Sequence, residues 1–174
     1  DEDYLGWWER RLAPALWAVP TAIRTAGDWD ATLAWTLRFL LQAPDLRLIS
    51  VWNPSLLEML WNRFMIDAER WLDLLGTGKG PTDHPGLARH LQPEPKVAAA
   101  LKAHLAEGTL SPAVVWPELS LVSAWEAAEA APAAANVRRL FSHAGFQPKG
   151  LMATEGVISI PWLDDTLAPV PALR

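Results

Sequence analysis

The chain has 174 residues, of which 51% are hydrophobic and 20% charged, a composition typical of a soluble globular domain. Its net charge of -5 argues against a nucleic-acid partner, which usually meets a basic face. No apolar run approaches the roughly 20 residues of a membrane helix, so no membrane partner is expected either. The lack of cysteine excludes disulfides, thiol nucleophiles and cysteine metal sites, and is compatible with a cytoplasmic protein.

The first third of the chain is predicted to be helical. Residues 3–18 form one candidate helix, with Pro14 as a break or kink. Asp28 or Asp30 can cap the next helix, because a carboxylate accepts hydrogen bonds from the free N–H groups of a first turn. That helix has an apolar face formed by leucines at helical spacing: Leu33, Leu37, Leu40 and Leu41.

A buried strand and a long helix are predicted next. The segment 46–52, LRLISVW, is short, apolar and partly β-branched, as buried strands are. Asn53 is a candidate helix cap and Pro54 suits a first helical position. The helix that follows runs to about Leu75, and Gly76 is the expected stop.

The glycines and lysine of residues 76–86, GTGKGPTDHPG, raise the question of a phosphate loop. The segment lacks the G-x-x-x-x-G-K-[ST] pattern and follows a helix, whereas such loops follow a strand. It is interpreted as a mobile surface loop.

The second half alternates helices and strands. A helix is predicted over residues 95–107, a strand over 119–125, a helix from Pro132 to Phe141, and strands over 146–153 and 156–161. Alternating strands and helices favour a mainly parallel sheet flanked by helices, an α/β fold. The last two strands are joined by so few residues that they form an antiparallel hairpin or a sharp bend.

The domain organisation is predicted to be a single α/β unit over residues 1–174. The chain begins at Asp1 with no initiator methionine and ends in the proline-rich run LAPVPALR. Both ends look cut, so we expect a fragment of a larger N-terminal domain.

Candidate ligand residues follow the predicted strands. Ligands of open α/β sheets bind beyond the carboxyl ends of the strands. Thr154 can donate a hydrogen bond to a phosphate oxygen, Glu155 can hold Mg²⁺ through oxygen, and small Ala127 and Ala128 let a flat ring approach the backbone. The three ends that the sequence predicts are Trp52-Asn53, Trp125-Glu126-Ala127 and Ala153-Thr154-Glu155. The alternative is a capped turn with a solvated carboxylate, and spacing alone favours that alternative.

Longer segments resemble a known family. DLRLISVWNPSLLEML, VWPELSLVSAW and FQPKGLMATEGVISIPW are similar to segments of the acyl-acid amido synthetases of the auxin-responsive-promoter (Gretchen Hagen) family, in its bacterial form. The resemblance spans nearly the whole chain, and its most specific part is the last segment. This family belongs to the adenylate-forming superfamily.

The resemblance implies an activity and a set of ligands. Members activate a carboxylic acid with ATP as an acyl-adenylate, and an amine, usually of an amino acid, then displaces AMP to give an amide. By this resemblance Thr154 contacts the α-phosphate, Glu155 holds Mg²⁺, and Ala127 and Ala128 lie beside the adenine. The same segment implies nucleotide contacts for the three preceding residues, Leu151, Met152 and Ala153.

The chain departs from the superfamily pattern Tyr-Gly-x-Thr-Glu, since Leu151 and Met152 stand at its first two positions. The upstream phosphate loop, the ribose-binding aspartate and the C-terminal domain of the superfamily have no counterpart in this sequence, which agrees with a fragment that is inactive alone. Two alternatives remain: a non-catalytic binding or interaction module on the same scaffold, and a structural domain. Trp17, Trp52 and Trp125 are candidates for an acid pocket, or else core residues.

Overall fold

The computed structural model of the protein describes residues 17–150 in full and the backbone of four short strands beyond them. The helix predicted over residues 3–18 lies outside the described residues except for Trp17 and Ala18, which are not helical. The helices and strands, in chain order, are α1 (Trp29–Leu41), β1 (Leu48–Ser50), α2 (Ser55–Ile66), α3 (Ala68–Thr77), α4 (Pro85–Ala88), α5 (Pro95–Ala106), α6 (Pro112–Val115), β2 (Leu121–Ala124), α7 (Ala131–Leu140), β3 (Gly145–Pro148), β4 (Met152–Ala153), β5 (Gly156–Val157), β6 (Ser159–Pro161) and β7 (Pro169–Pro171).

The chain divides into two compact units. The helical unit comprises Asp1–Pro44 and Phe64–Leu110, and the sheet unit comprises Asp45–Arg63 and Ser111–Arg174. The sequence-based expectation of a single α/β unit over residues 1–174 stays a prediction.

In the helical unit, α1 begins where the sequence predicts. The side chain of Asp28 accepts a hydrogen bond from the Ala31 N–H at 2.8 Å and so caps the first turn. The buried face of α1 packs in an apolar cluster made of Trp35, Phe39, Leu87 and Leu91. The same helix carries Arg38, which is fully buried. Within the described residues, no helix is long and apolar enough to cross a bilayer.

The long helix predicted after residue 54 is two helices. They separate at Asp67, whose backbone angles (φ -140°, ψ 48°) are not helical. The second, α3, runs to Thr77 and ends on Gly78 rather than Gly76. Gly78 has a φ of 69°, and an added Cβ would lie 2.8 Å from the Pro93 nitrogen, so glycine is required there.

Side chains of α1 hold the loop that follows α3. The indole Nε1 of Trp35 donates a hydrogen bond to Thr82 Oγ1 at 3.0 Å. Nε of Arg38 donates to the Lys79 carbonyl oxygen, also at 3.0 Å. The loop that the sequence assigns to the surface is therefore attached to α1 at two points.

The sheet unit confirms the predicted α/β fold class. Strands β1, β2 and β3 are all parallel, in the order β1-β2-β3. Ile49, Val122 and Phe146 are in register across the three strands, and all three are buried. Helices of the same unit flank the sheet and supply further buried residues, Leu57, Val115 and Val137.

The third predicted strand, 146–153, ends earlier than expected. The strand β3 stops at Pro148, and Met152–Ala153 forms the separate strand β4, which pairs antiparallel with β5. Proline has no N–H to extend a ladder and is tolerated at strand ends and on edge strands, which explains the early stop. The predicted hairpin is confirmed by the pairing of Ala153 with Gly156. The strand predicted over 156–161 is divided into β5 and β6, and β6 pairs antiparallel with β7.

Candidate functional site

The carboxyl ends of β1, β2 and β3 lie at one edge of the sheet, as parallel strands require. Backbone hydrogen bonds continue past the strands: the Trp125 N–H donates to the Trp52 carbonyl at 3.0 Å, and the Lys149 N–H donates to the Ala124 carbonyl at 2.9 Å. The residues that follow the three strands are thereby held side by side. This carboxyl edge is where ligands of open α/β sheets bind.

Two tryptophans from neighbouring strand ends are in contact at the carboxyl edge. The ring centroids of Trp52 and Trp125 are 5.2 Å apart, and the ring planes are inclined by 57°. The side chain of Trp52 is 55% exposed. The Nε1 atom of Trp125 is buried and has no hydrogen-bond partner among the described residues. The pair is therefore partly open to solvent and includes an unsatisfied buried donor, in contrast to fully packed core residues.

Lys149 completes this group of residues. Its Nζ donates a hydrogen bond to Ser50 Oγ at 2.8 Å and lies 4.8 Å from the centroid of the Trp52 ring. Since Ser50 ends β1 and Lys149 follows β3, the lysine side chain spans the end of β2. Burial lowers the pKa of Lys149 below its ordinary value. We call Ser50, Trp52, Trp125 and Lys149 the edge cluster.

Glu126, one of the residues named at the end of the second strand, has a structural contact. Its carboxylate pairs with Arg138 of α7. The guanidinium of Arg138 in turn lies 4.1 Å from the centroid of the Phe146 ring on β3. Asn53 is likewise engaged, because its Oδ1 accepts hydrogen bonds from the backbone N–H and the hydroxyl of Ser55 at the start of α2. Both side chains fix the elements that form the carboxyl edge.

The two alanines predicted to admit a flat ring lie three and four residues after the end of β2. Ala127 and Ala128 are both exposed, so the backbone beside the carboxyl edge is open to a ligand. Ala128 has a φ of 52°, in the left-handed region that residues with a Cβ rarely adopt. A short 3-10 turn, Ala128–Ala130, then leads into α7.

The remaining predicted site residues follow β3. Leu151, Thr154 and Glu155 lie outside the described residues, and of Met152 and Ala153 only the backbone of β4 is described. The pairing of β4 with β5 leaves two residues, Thr154 and Glu155, between the paired positions Ala153 and Gly156. Their roles toward phosphate and Mg²⁺ stay predictions. Among the described residues, no group of three histidine, aspartate or glutamate side chains is arranged to hold a metal ion.

Lys149 and Ser50 were not predicted as site residues from the sequence. Pro148 could have indicated the position of Lys149, because a proline favours the end of a strand. A strand that stops at Pro148 makes Lys149 the first residue past its carboxyl end. The contact with Ser50 had no signal, because the two residues are 99 positions apart in sequence. Of the three tryptophans considered for an acid pocket, Trp52 and Trp125 are brought together, while Trp17 belongs to the helical unit and is 46% exposed.

A second concave surface of the sheet unit lies between α2 and α7. It is a cleft of about 370 Å³. Arg139 donates a hydrogen bond to Asn136 Oδ1 within it. Its lining residues are Glu58, Trp61, Asn62, Asn136, Arg139 and Leu140. None of the residues predicted to bind a ligand lines this cleft.

Comparisons with known proteins find a likeness in structure alone. No protein-family model and no curated protein matches the sequence. Among the solved structures that match is a GH3.15 acyl acid amido synthetase, with a TM-score of 0.69 and 13% sequence identity. The match covers 83% of this chain and 28% of the synthetase chain. The chain therefore shares the α/β fold of that part of an acyl acid amido synthetase and spans well under a third of its length.

Proposed function

We propose that the chain is part of an ATP-dependent acyl-acid amido synthetase of the bacterial type, a ligase that forms carbon–nitrogen bonds. The observation that carries the proposal is the parallel β1-β2-β3 sheet, whose carboxyl edge is lined by exposed alanines, paired tryptophans and a lysine, in a fold shared with a synthetase of that name. The KGLMATEGVISIP segment supports it from the sequence.

In the proposed reaction, a carboxylate oxygen of a small acid attacks the α-phosphorus of ATP and pyrophosphate leaves. The nitrogen of an amine or amino acid then attacks the acyl carbon, AMP leaves, and the nitrogen loses a proton. Catalysis of the first step rests on positioning and on neutralising charge at the phosphates. We propose a cytoplasmic location, with which the lack of cysteine is compatible.

The proposed nucleotide position is the carboxyl edge. Ala127 and Ala128 are exposed and small, so they fit a flat adenine ring close to the backbone. Leu151, Met152 and Ala153 would contact the nucleotide through apolar packing, and Thr154 would donate a hydrogen bond to the α-phosphate. These roles follow the family resemblance of the segment.

A magnesium ion fits a site with one protein carboxylate. Mg²⁺ is commonly held by one or two carboxylates together with waters and substrate phosphates. Glu155 would be that carboxylate. When bound, the ion neutralises charge on the phosphates.

The test is pyrophosphate exchange. The full-length gene product is incubated with ATP, Mg²⁺, labelled pyrophosphate and a panel of small carboxylic acids, and acid-dependent label in ATP is expected. Glu155→Gln should lower the exchange rate at least about 100-fold, because the metal loses its protein ligand. The control Glu129→Gln, in the exposed turn before α7, should keep the wild-type rate. If no acid supports exchange, the proposed enzyme activity is wrong.

The second candidate is a non-catalytic binding module on the same scaffold. It is favoured by Leu151 and Met152 in place of the superfamily's Tyr-Gly pair. This candidate predicts that the full-length product binds AMP or small acids without any exchange of pyrophosphate, so the same experiment separates the two.

A further inference from the structure

The lysine of the edge cluster has only neutral partners among the described residues. Ser50 offers a hydroxyl and Trp52 offers the face of an indole, and neither cancels the charge of an ammonium group. Among the described residues no carboxylate forms an ion pair with Nζ within 4.0 Å. Glu126, which follows the end of β2, is paired with Arg138. Lys149 is thus a positive charge without an anionic partner in that part of the chain.

The surroundings of Lys149 are accessible and pre-organised. Trp52 is 55% exposed and Ser50 is also exposed, so solvent and small molecules reach the edge cluster. The hydrogen bond to Ser50 and the contact with Trp52 hold the flexible lysine stem in one position, which reduces the entropy lost when a ligand binds. Trp125 Nε1, which is buried and has no acceptor in the part of the chain that the structure describes, adds a second polar donor to the same cluster.

We propose that Lys149 binds an anionic oxygen group, a carboxylate or a phosphate, at the carboxyl edge of the sheet, beside the Trp52–Trp125 pair. Which anion it is rests on the proposed function, in which the acid substrate carries a carboxylate and the nucleotide an α-phosphate. The lowered pKa of Lys149 agrees with this role, because a partly desolvated ammonium regains stability from an anion.

Lys149 has a competing structural role as a tie between the ends of β3 and β1. In that role Lys149 would stabilise the sheet through the hydrogen bond to Ser50, and its replacement would not change the affinity for anions. Two variants separate these roles. Lys149→Arg keeps the positive charge but changes the geometry of the link to Ser50. Lys149→Met keeps most of the aliphatic stem but removes the charge.

The experiment measures the binding of two probes to the full-length gene product by isothermal titration calorimetry. AMP presents a phosphate and benzoate presents a carboxylate, and each is titrated separately. Lys149→Met should weaken binding of at least one probe about tenfold, whereas Lys149→Arg should stay within about threefold of wild type. The probe that is affected identifies the anion. Lys102→Met, which removes an exposed lysine paired with Asp73 in the helical unit, is the control and should bind both probes as wild type does.

Several results would overturn the inference. One is binding of both probes by Lys149→Met within twofold of wild type; another is binding of neither probe by the wild-type protein. If Lys149→Met lowers the thermal midpoint so far that it is not folded, Ser50→Ala decides instead: it should weaken probe binding about threefold by freeing the lysine, and unchanged binding contradicts the proposal. Lys149-dependent binding without pyrophosphate exchange would uphold this inference and reject the proposed function.

Discussion

Arg38 donates a hydrogen bond from Nε to the carbonyl oxygen of Lys79 at 3.0 Å, and so joins α1 to the loop after α3. A second bond runs from its Nη2 to the Leu74 carbonyl near the end of α3, at 3.2 Å. The Leu74 carbonyl also accepts a hydrogen bond from the backbone N–H of Lys79 at 3.1 Å, so the buried cation adds a charge-assisted donor to a helix end that the backbone already caps. The fully buried guanidinium therefore determines how α1, α3 and the loop pack together.

Replacing Arg38 by methionine is expected to lower the free energy of unfolding by about 3 kcal/mol, because the carbonyls of Leu74 and Lys79 lose charge-assisted donors. Arg38→Lys should lower the free energy of unfolding by less, because the ammonium group keeps the positive charge. Some loss remains, because lysine lacks the planar fork of donors that reaches both carbonyls. Urea denaturation of the chain measures both changes. The exposed Arg24→Met serves as the control, with an expected change below about 0.5 kcal/mol. A loss from Arg38→Met as small as that of the control would contradict the assignment.

The stabilisation by Arg38 should depend on pH only in strongly alkaline solution. Burial lowers the pKa of Arg38 to about 10, and the charge of Glu94 partly offsets this effect. Above that pH the unfolded chain binds more protons than the folded chain, so the contribution of Arg38 to the free energy of unfolding rises with pH. At neutral pH the arginine is charged in both states. The difference in unfolding free energy between wild type and Arg38→Met should be constant from about pH 6 to about pH 9 and grow in favour of wild type near pH 11. A change in this difference between pH 6 and pH 8 would show that another group is responsible.

Local sequence patterns predicted the elements that depend on local physics. Asp28 caps α1 because its carboxylate reaches a backbone N–H only three residues away. The apolar segments around Ile49 and Val122 became neighbouring parallel strands, as helix–strand alternation indicated. The stop of β3 at Pro148 also had a local signal, although the apolar residues after it favoured a longer strand.

Features that depend on contacts between distant residues were not predictable in this way. The break at Asp67 lies in the segment FMIDAERW, which contains neither glycine nor proline. Its local signal is weak: Asp67 is a favoured N-cap residue type, but its side chain makes no cap hydrogen bond. The burial of Arg38 depends on carbonyls 36 and 41 residues away. The edge cluster likewise depends on Lys149 reaching Ser50, 99 residues earlier. A sequence pattern gives the residue types at such sites but not their partners.

The close approach of Trp35 to Gly80 gives a third prediction. A Cβ atom at residue 80 would lie 2.1 Å from Cη2 of the Trp35 indole, well inside van der Waals contact. Gly80→Ala should therefore lower the free energy of unfolding by about 2 kcal/mol, the cost of overpacking a buried ring.

A double-mutant cycle tests the cause of this loss. Trp35→Phe removes the outer atoms of the indole and the hydrogen bond to Thr82, and so should itself destabilise the chain. In that background Gly80→Ala should cost at least about 1 kcal/mol less than in wild type, because the clash is relieved. Strictly additive losses would mean that the ring contact is not what excludes a side chain at residue 80.

The left-handed backbone of Ala128 gives the last prediction. A residue with a Cβ pays about 1 kcal/mol to hold a positive φ, whereas glycine does not. Ala128→Gly should raise the free energy of unfolding by about 0.5 kcal/mol after the greater entropy of the unfolded glycine is deducted. Ala128→Val should lower it by more than about 1 kcal/mol, because β-branched side chains fit this region poorly. Ala127 is a matched control: it is the preceding exposed alanine and has an extended backbone with a φ of -90°. There glycine has no strain to relieve, so Ala127→Gly should be destabilising by about 0.5 kcal/mol.

Chemical denaturation of the three variants checks the signs of these changes in the free energy of unfolding. A loss of stability in Ala128→Gly equal to that in Ala127→Gly would show that Ala128 carries no backbone strain beside the proposed nucleotide position.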